Sequence, residues 1–283
     1  MQLSDAVVVV TGGGSGIGAA LVERIAAESP AAVVVADLDG EAAAAVSARV
    51  GAALAGAASS AAAIWHVECD VSDESQVIDL IAAVEARHGT IDLFCANAGI
   101  ASGQGIDAPD EVWDAVMAVN VMSHLYAARA LVPGWTARGR GHLLVTASAA
   151  GLLSNLGDAP YSVSKHAAVA LAEWISITYG DRGVGVSCLC PQGVRTPLLF
   201  GAHPPAAGSS GSAVDGALAA EVVKAQRILE PEQVADVTVA ALAEDRFLIL
   251  PHDEVASFEQ ARAADRERWL GAMRRMQARL ERR

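Results

Sequence analysis

Four consecutive valines, Val7, Val8, Val9 and Val10, run straight into Thr11-Gly12-Gly13-Gly14-Ser15-Gly16-Ile17-Gly18, and this junction constrains the chain more than any other stretch. β-Branched side chains favour the pleated surface of a strand. A run apolar on both faces belongs in the middle of a parallel sheet covered by helices. Beyond the glycines, Leu21, Val22 and Ile25 fall on one side of a helix that starts near Gly16. A strand that turns through glycine into a helix aims free backbone N–H groups, and the positive helix end, at an anion. Glycines such as Gly12 and Gly16 let the backbone approach a pyrophosphate with no Cβ in the way.

A second apolar run, 31–36, ends at Asp37. That carboxylate lies about 20 to 25 residues past the glycines, the distance at which it can accept both ribose hydroxyls of an adenosine. A 2′-phosphate there would meet like charge, and neither Ser15 nor Leu38 supplies a compensating cation. The expected cofactor is therefore NAD, not NADP.

Further apolar strands alternate with helical stretches. Helix over 41–50 precedes a third strand, 64–69, which closes on Asp70-Val71; a helix through Val77, Leu80, Ile81 and Val84 stops at Gly89. The fourth strand, 91–95, enters Asn97-Ala98-Gly99. The run 110–138 reads as one long apolar helix holding Asn120, with His124 one turn later. Strands follow at 141–148, 183–191 and 247–250, and helices at 161–179 and 232–244. Such βα alternation predicts a doubly wound α/β/α sheet, since a barrel would need eight strands.

At 283 residues the chain fits one large domain over 1–253, with a loop at about 198–216 and a helical extension over 254–283. The net charge of −13 argues against nucleic acid as partner. It is uneven: residues 254–283 hold 8 Arg against 5 acids, so the extension is suited to salt links between or within subunits. No basic leader opens the chain and no run approaches 18 uninterrupted apolar residues, so no membrane partner is expected. Cys69, Cys95, Cys188 and Cys190 match no metal spacing and read as reduced, buried thiols of a cytoplasmic protein. Two helices are apolar on more than one face, through Trp113, Val116 and Met117 and through Val169, Leu171 and Trp174. A second subunit is the simplest cover, giving a dimer or tetramer.

Chemistry concentrates in the second half. Tyr161 and Lys165, four residues apart, share a helix face. A phenol titrating near about 10 is a poor base, and a neighbouring ammonium favours the phenolate. Lys165 could also donate to a nicotinamide ribose. Ser148 ends a strand, where its hydroxyl can hold a substrate oxygen. Asn120 is expected to bend its helix and leave a carbonyl to hold a water near Lys165. His124, His142 and His166 read as capping, packing or solvent-facing groups. Beneath a cover at 198–216, Ala149, Leu153, Leu156 and Gln192 form largely apolar walls over a Ser148/Tyr161 floor.

Taken together, residues 6–251 resemble the short-chain dehydrogenases/reductases. The match rests on the glycine turn, Asp37, Asp70-Val71, Asn97-Ala98-Gly99, Asn120, Ser148, Tyr161-Ser-Val-Ser-Lys165 and Pro191-Gln-Gly-Val-Arg-Thr196, in family order and spacing. The resemblance implies a seven-stranded Rossmann fold and a catalytic set Asn120, Ser148, Tyr161 and Lys165. It also implies cofactor contacts at Gly12, Ser15, Gly16, Ile17, Asp37, Asp70, Val71, Asn97, Gly99, Tyr161, Lys165, Pro191, Val194 and Thr196, with no metal. Substrate would meet Ser148, Leu156, Tyr161 and Gln192. Gln192 departs from the family, which usually has Gly there, and the basic extension lies beyond the common core. The expected activity is NAD-dependent interconversion of a secondary alcohol and a ketone, on a bulky hydrophobic substrate such as a steroid or aryl alcohol. The alternatives are a carbonyl reductase working toward the alcohol and a dinucleotide-binding regulatory protein without turnover.

Overall fold

A computed structural model describes residues 1–56, 62–200 and 227–282. Seven strands form one parallel sheet: β1 (Val7–Thr11), β2 (Ala32–Asp37), β3 (Ala63–Glu68), β4 (Leu93–Ala96), β5 (Gly141–Thr146), β6 (Val184–Leu189) and β7 (Leu248–Ile249). Their order is β3-β2-β1-β4-β5-β6-β7, so the direction of winding reverses between β1 and β4.

The valine run is apolar on both faces because both faces are covered. Val7 and Val9 join one core with Val34, Phe94, Leu143 and Val145. Val8 and Val10 join the other with Val33, Val35, Leu93 and Leu144. Helices α1 (Gly16–Ala26) and α2 (Gly40–Gly56) lie on the second side, and α3 (Glu74–His88) on the first. α2 outruns its expected end because Gly51 faces open space, where a missing side chain sacrifices no packing, and alanines carry the helix on.

The long apolar run divides into three pieces. α4 (Asp110–Met117) gives way to a π-turn over Ala118–Met122, and α5 (Ser123–Arg138) continues from it. By length and composition Asp110–Arg138 is apolar enough to cross a membrane. Its apolar side chains have a use within the fold, since Val112, Val116, Ala127, Leu131 and Trp135 are buried there.

α6 (Ala150–Leu153) and α7 (Ala159–Tyr179) follow β5, with Pro160 in the first turn of α7. α8 (Pro197–Phe200) follows β6, and α9 (Pro231–Ala243) packs on α1. The expected cover at 198–216 lies outside the described residues beyond Phe200. Part of the surplus apolar surface is absorbed within the chain: Val116 and Val169 are buried. What stays open is Val163, Trp174 and Ile177 on α7, at 50%, 57% and 84% exposure.

The extension is two helices, α10 (Glu254–Ala264) and α11 (Arg266–Leu280), broken at Asp265, whose carboxylate accepts the Arg268 amide and starts α11. Val255 is fully buried, Trp269 packs against the main core, and Arg262 reaches His166 on α7 at 3.4 Å.

Candidate active site

The reversal between β1 and β4 opens a crevice at the carboxyl ends of the strands, where doubly wound sheets place ligands. Its floor is the glycine turn. Gly12 has φ +62°, and a Cβ there would stand 2.9 Å from Ala98 Cα. A Cβ on Gly18 would fall 1.9 Å from the Gly12 carbonyl oxygen, so only glycine lets α1 pack this close. Gly16, at φ +51°, faces the Thr196 methyl. Ser15 precedes α1 in extended backbone and makes no side-chain cap bond, and Ile17 is half-buried beside it.

Asp37 stands at the end of β2 on the turn. Its Oδ2 accepts the Gly14 amide at 2.8 Å and its Oδ1 the Asp39 amide at 3.0 Å. Each oxygen keeps a lone pair for a hydroxyl donor. Asp70 uses Oδ1 for the amide and hydroxyl of Ser72, beside buried Val71. Asn97 ties three strand ends together. Its amide nitrogen donates to the Thr11 carbonyl at 3.0 Å, and its Oδ1 accepts from Thr146 Oγ1 at 3.1 Å.

Beyond β5 the other candidates converge. Lys165, buried on α7, donates from Nζ to the Thr146 carbonyl at 2.9 Å and lies 5.6 Å from the centre of the Tyr161 ring. A Cβ on Gly99 would stand 3.3 Å from both Lys165 Nζ and Asn120 Oδ1. Ser148 Oγ donates to the Pro191 carbonyl at 3.3 Å, joining the ends of β5 and β6, and lies beside the Tyr161 phenol.

Asn120 lies within the π-turn and is fully buried, so the expected helix irregularity is present. Its side chain is turned to Ile100 and Ser164: Nδ2 donates to the Ile100 carbonyl and to Ser164 Oγ, and Oδ1 accepts the Ile100 amide.

The electrostatics differ from the sequence expectation. Burial pushes the Tyr161 phenol up to about 12, the nearby Ser148 hydroxyl draws it back, and Asp158 and Cys190 add to the rise. Burial pushes Lys165 down to about 8, against the pull of Cys190 and Cys188.

Around this cluster, Val194 is buried and bridges to Leu229, while Thr196 Oγ1 turns back to the Val194 carbonyl. Arg195 leaves the cleft and pairs with Glu230. The Gln192 backbone N–H donates to His252 Nδ1 at 3.2 Å, and Leu156 is half-buried between α6 and α7. Asp158 was missed from the sequence. Buried at 3% exposure, it accepts the amides of Ser102, Gly103 and Tyr161 and the Ser102 hydroxyl. An aspartate just before Ala159-Pro160 is a helix-start signal that could have found it.

Residues 6–203 match the family model described as short chain dehydrogenase. The chain is 34% identical over 262 residues to 1-deoxy-11-beta-hydroxypentalenate dehydrogenase of Streptomyces exfoliatus, covering 90% of this chain and 86% of that one. It is 30% identical over 247 residues to 3beta-hydroxysteroid dehydrogenase 2 of Eggerthella lenta, covering 86% and 90%. A solved short chain dehydrogenase/reductase from Burkholderia phymatum in complex with NAD superposes with TM-score 0.80 at 31% identity, covering 94% and 96%. With the glycine turn, the reversed sheet and the Ser148–Tyr161–Lys165 cluster all in one cleft, the chain belongs to the short-chain dehydrogenase family of oxidoreductases.

Proposed function

We propose that this protein is an NAD-dependent dehydrogenase interconverting a hydrophobic secondary alcohol and its ketone. The observation that carries the reading is the convergence of buried Ser148 and Lys165 with half-buried Tyr161 beyond β5, at the same end of the sheet as the glycine turn and Asp37.

The residues present fit a nicotinamide dinucleotide. Gly12 and Gly18 let the turn and α1 pack against Ala98 and Asn97, which sets the glycine turn and the start of α1 at the end of β1, where a pyrophosphate would meet free backbone N–H groups. Asp37, fixed by two backbone amides, offers its remaining lone pairs to a diol and its charge against a 2′-phosphate. Such a cofactor supplies the hydride acceptor when bound. Ser148 orients the substrate oxygen, and the Tyr161 phenolate takes the hydroxyl proton at Oη. Lys165, anchored on Thr146, presents its remaining N–H groups toward the ribose and the phenol. The half-buried Leu156 and buried Leu153 favour an apolar substrate. The names of the Streptomyces exfoliatus and Eggerthella lenta relatives support the same substrate class.

The test is an oxidation screen over steroid, terpenoid, aryl and short aliphatic secondary alcohols, each with NAD and with NADP. Turnover of cyclic hydrophobic alcohols with NAD is expected. Absence of reduced cofactor with every alcohol would defeat the reading.

A further inference from the structure

His252 follows β7, is fully buried, and meets two other segments of the chain through its ring. The Gln192 backbone N–H donates to Nδ1 at 3.2 Å, and Nε2 lies 3.0 Å from the Arg227 carbonyl. A carbonyl only accepts and an N–H only donates, so these neighbours assign the neutral ring: Nε2 carries the hydrogen and Nδ1 is bare. Burial pushes the imidazole below its ordinary range and keeps it neutral. The Arg227 and Gly193 backbones and the Glu254 charge favour the proton, and the Arg227 charge opposes it.

The segment held by this ring joins the two halves of the cleft. At one end, the Pro191 carbonyl accepts Ser148 Oγ at 3.3 Å and the Ala149 amide at 2.8 Å. At the other end Thr196 meets the glycine turn, where a Cβ on Gly16 would stand 3.0 Å from the Thr196 methyl. Between them, the Gly193 carbonyl accepts the Leu229 amide at 3.0 Å, and the Arg195 amide donates to the Leu229 carbonyl at 2.9 Å. Gln192 lies on the Ser148 side of that pairing, and its backbone N–H goes to His252. The ring is itself anchored: the His252 carbonyl accepts the Val255 amide at 3.1 Å, and Val255 is fully buried in the main core.

We propose that His252 is a positioning residue for the cleft: its Nδ1 fixes the Gln192 backbone and so holds the Pro191–Thr196 segment at the spacing that lets Ser148 and the glycine turn serve one bound nucleotide and its substrate. This rests on the dehydrogenase reading for its catalytic consequence, but the hold on Gln192 exists without cofactor or turnover. The two ring contacts are separable by substitution. Asparagine brings an acceptor oxygen to the place of Nδ1 and keeps the Gln192 contact. Glutamine brings its amide nitrogen toward the place of Nε2 and keeps the Arg227 contact instead. Phenylalanine keeps a ring and neither contact.

The experiment compares wild type with H252N, H252Q and H252F as full chains. Three readouts are taken: hydrogen exchange of peptides over 191–196 in the cofactor-free protein, NADH affinity by titration calorimetry, and kcat and KM for an alcohol found by the screen. Thermal midpoints check folding, and if H252F fails to fold, H252N against H252Q carries the comparison. H252Q and H252F are expected to exchange faster over 191–196, to bind NADH about tenfold more weakly, and to raise KM for the alcohol more than they lower kcat. H252N should stay within about twofold of wild type in each readout, since the Gln192 amide keeps an acceptor. Wild-type exchange over 191–196 in every folded variant overturns the proposal. So does faster exchange with unchanged NADH affinity and KM, because the contact would then serve the fold alone. A loss in H252N as large as in H252Q, or rescue by H252Q and not H252N, overturns it as well, because the acceptor at Nδ1 would not be what matters. A wild type that binds NADH yet oxidises no alcohol sinks the dehydrogenase reading alone, and exchange and calorimetry still decide the role of His252.

Discussion

Asn120 and Ile100 hold each other through a complete amide pair: Asn120 Nδ2 donates to the Ile100 carbonyl at 2.9 Å, and Ile100 N–H donates to Asn120 Oδ1 at 2.8 Å. The side chain thereby acts as a piece of backbone, fixing the segment after β4 against the π-turn. Asn120→Ala leaves both Ile100 groups without these partners. It is expected to lower unfolding stability by about 2–4 kcal/mol and to reduce turnover, which urea titration and steady-state kinetics will measure. Unchanged stability would mean the segment finds other partners.

Asp37 governs cofactor choice in the proposed reaction. NAD should exceed NADP in kcat/KM by at least about tenfold, or about 1.4 kcal/mol. Asp37→Ala should narrow the gap mainly by weakening NAD, since the diol partner is lost along with the charge. Equal use of the two cofactors by the unmodified protein contradicts the assignment.

Tyr161→Phe keeps the ring and removes the ionisable oxygen. Turnover should fall by about 10²-fold or more while nucleotide affinity is kept. Lys165→Ala should harm both. Near-full turnover by the phenylalanine variant would remove Tyr161 from proton transfer.

Lys165 also leaves a signature in stability against pH. Its folded value is lowered by burial to about 8 from an ordinary 10.5. Between these values the unfolded chain binds more protons than the folded one, so this group makes stability rise with pH across the window. Below it both states are charged, and the folded state bears the burden of a buried ammonium. Lys165→Met should therefore be relatively more stable at pH 7, with the advantage shrinking from about pH 8 to 10.5. Thermal midpoints of the two proteins across that range test it; parallel curves would refute it.

Trp174 and Ile177 leave a large apolar area of α7 open, at 57% and 84% exposure. Sedimentation at micromolar concentration should show at least a dimer, with an obligate interface above about 2,000 Å². Ile177→Glu should shift it toward monomer. A stable monomer for the unmodified protein would leave this face without its proposed role.

The fold class was legible in the sequence because its signals are local. Val7 to Val10 feed both cores, odd positions to one and even to the other, so the run announces a central strand by itself. Gly12, Gly16 and Gly18 mark a turn that a Cβ would block, and Tyr161 and Lys165 share a helix face by spacing alone. Where spacing was the only guide, boundaries drifted: α2 passed through Gly51, and β7 shrank to two residues.

Only the tertiary structure decided how the site is wired. Asn120 meets Ser164 across 44 residues, and Asp158 meets Ser102 across 56. His124 reads in sequence as one more packing residue, and its complete burial exists only once α5 is packed into the fold. The same burial raises Tyr161 and lowers Lys165, an effect that their spacing along α7 does not declare. Periodicity and turn chemistry act over a few residues, so the chain declares them directly. Desolvation and hydrogen-bond partners depend on which distant elements exclude water together, and that is a property of the folded packing.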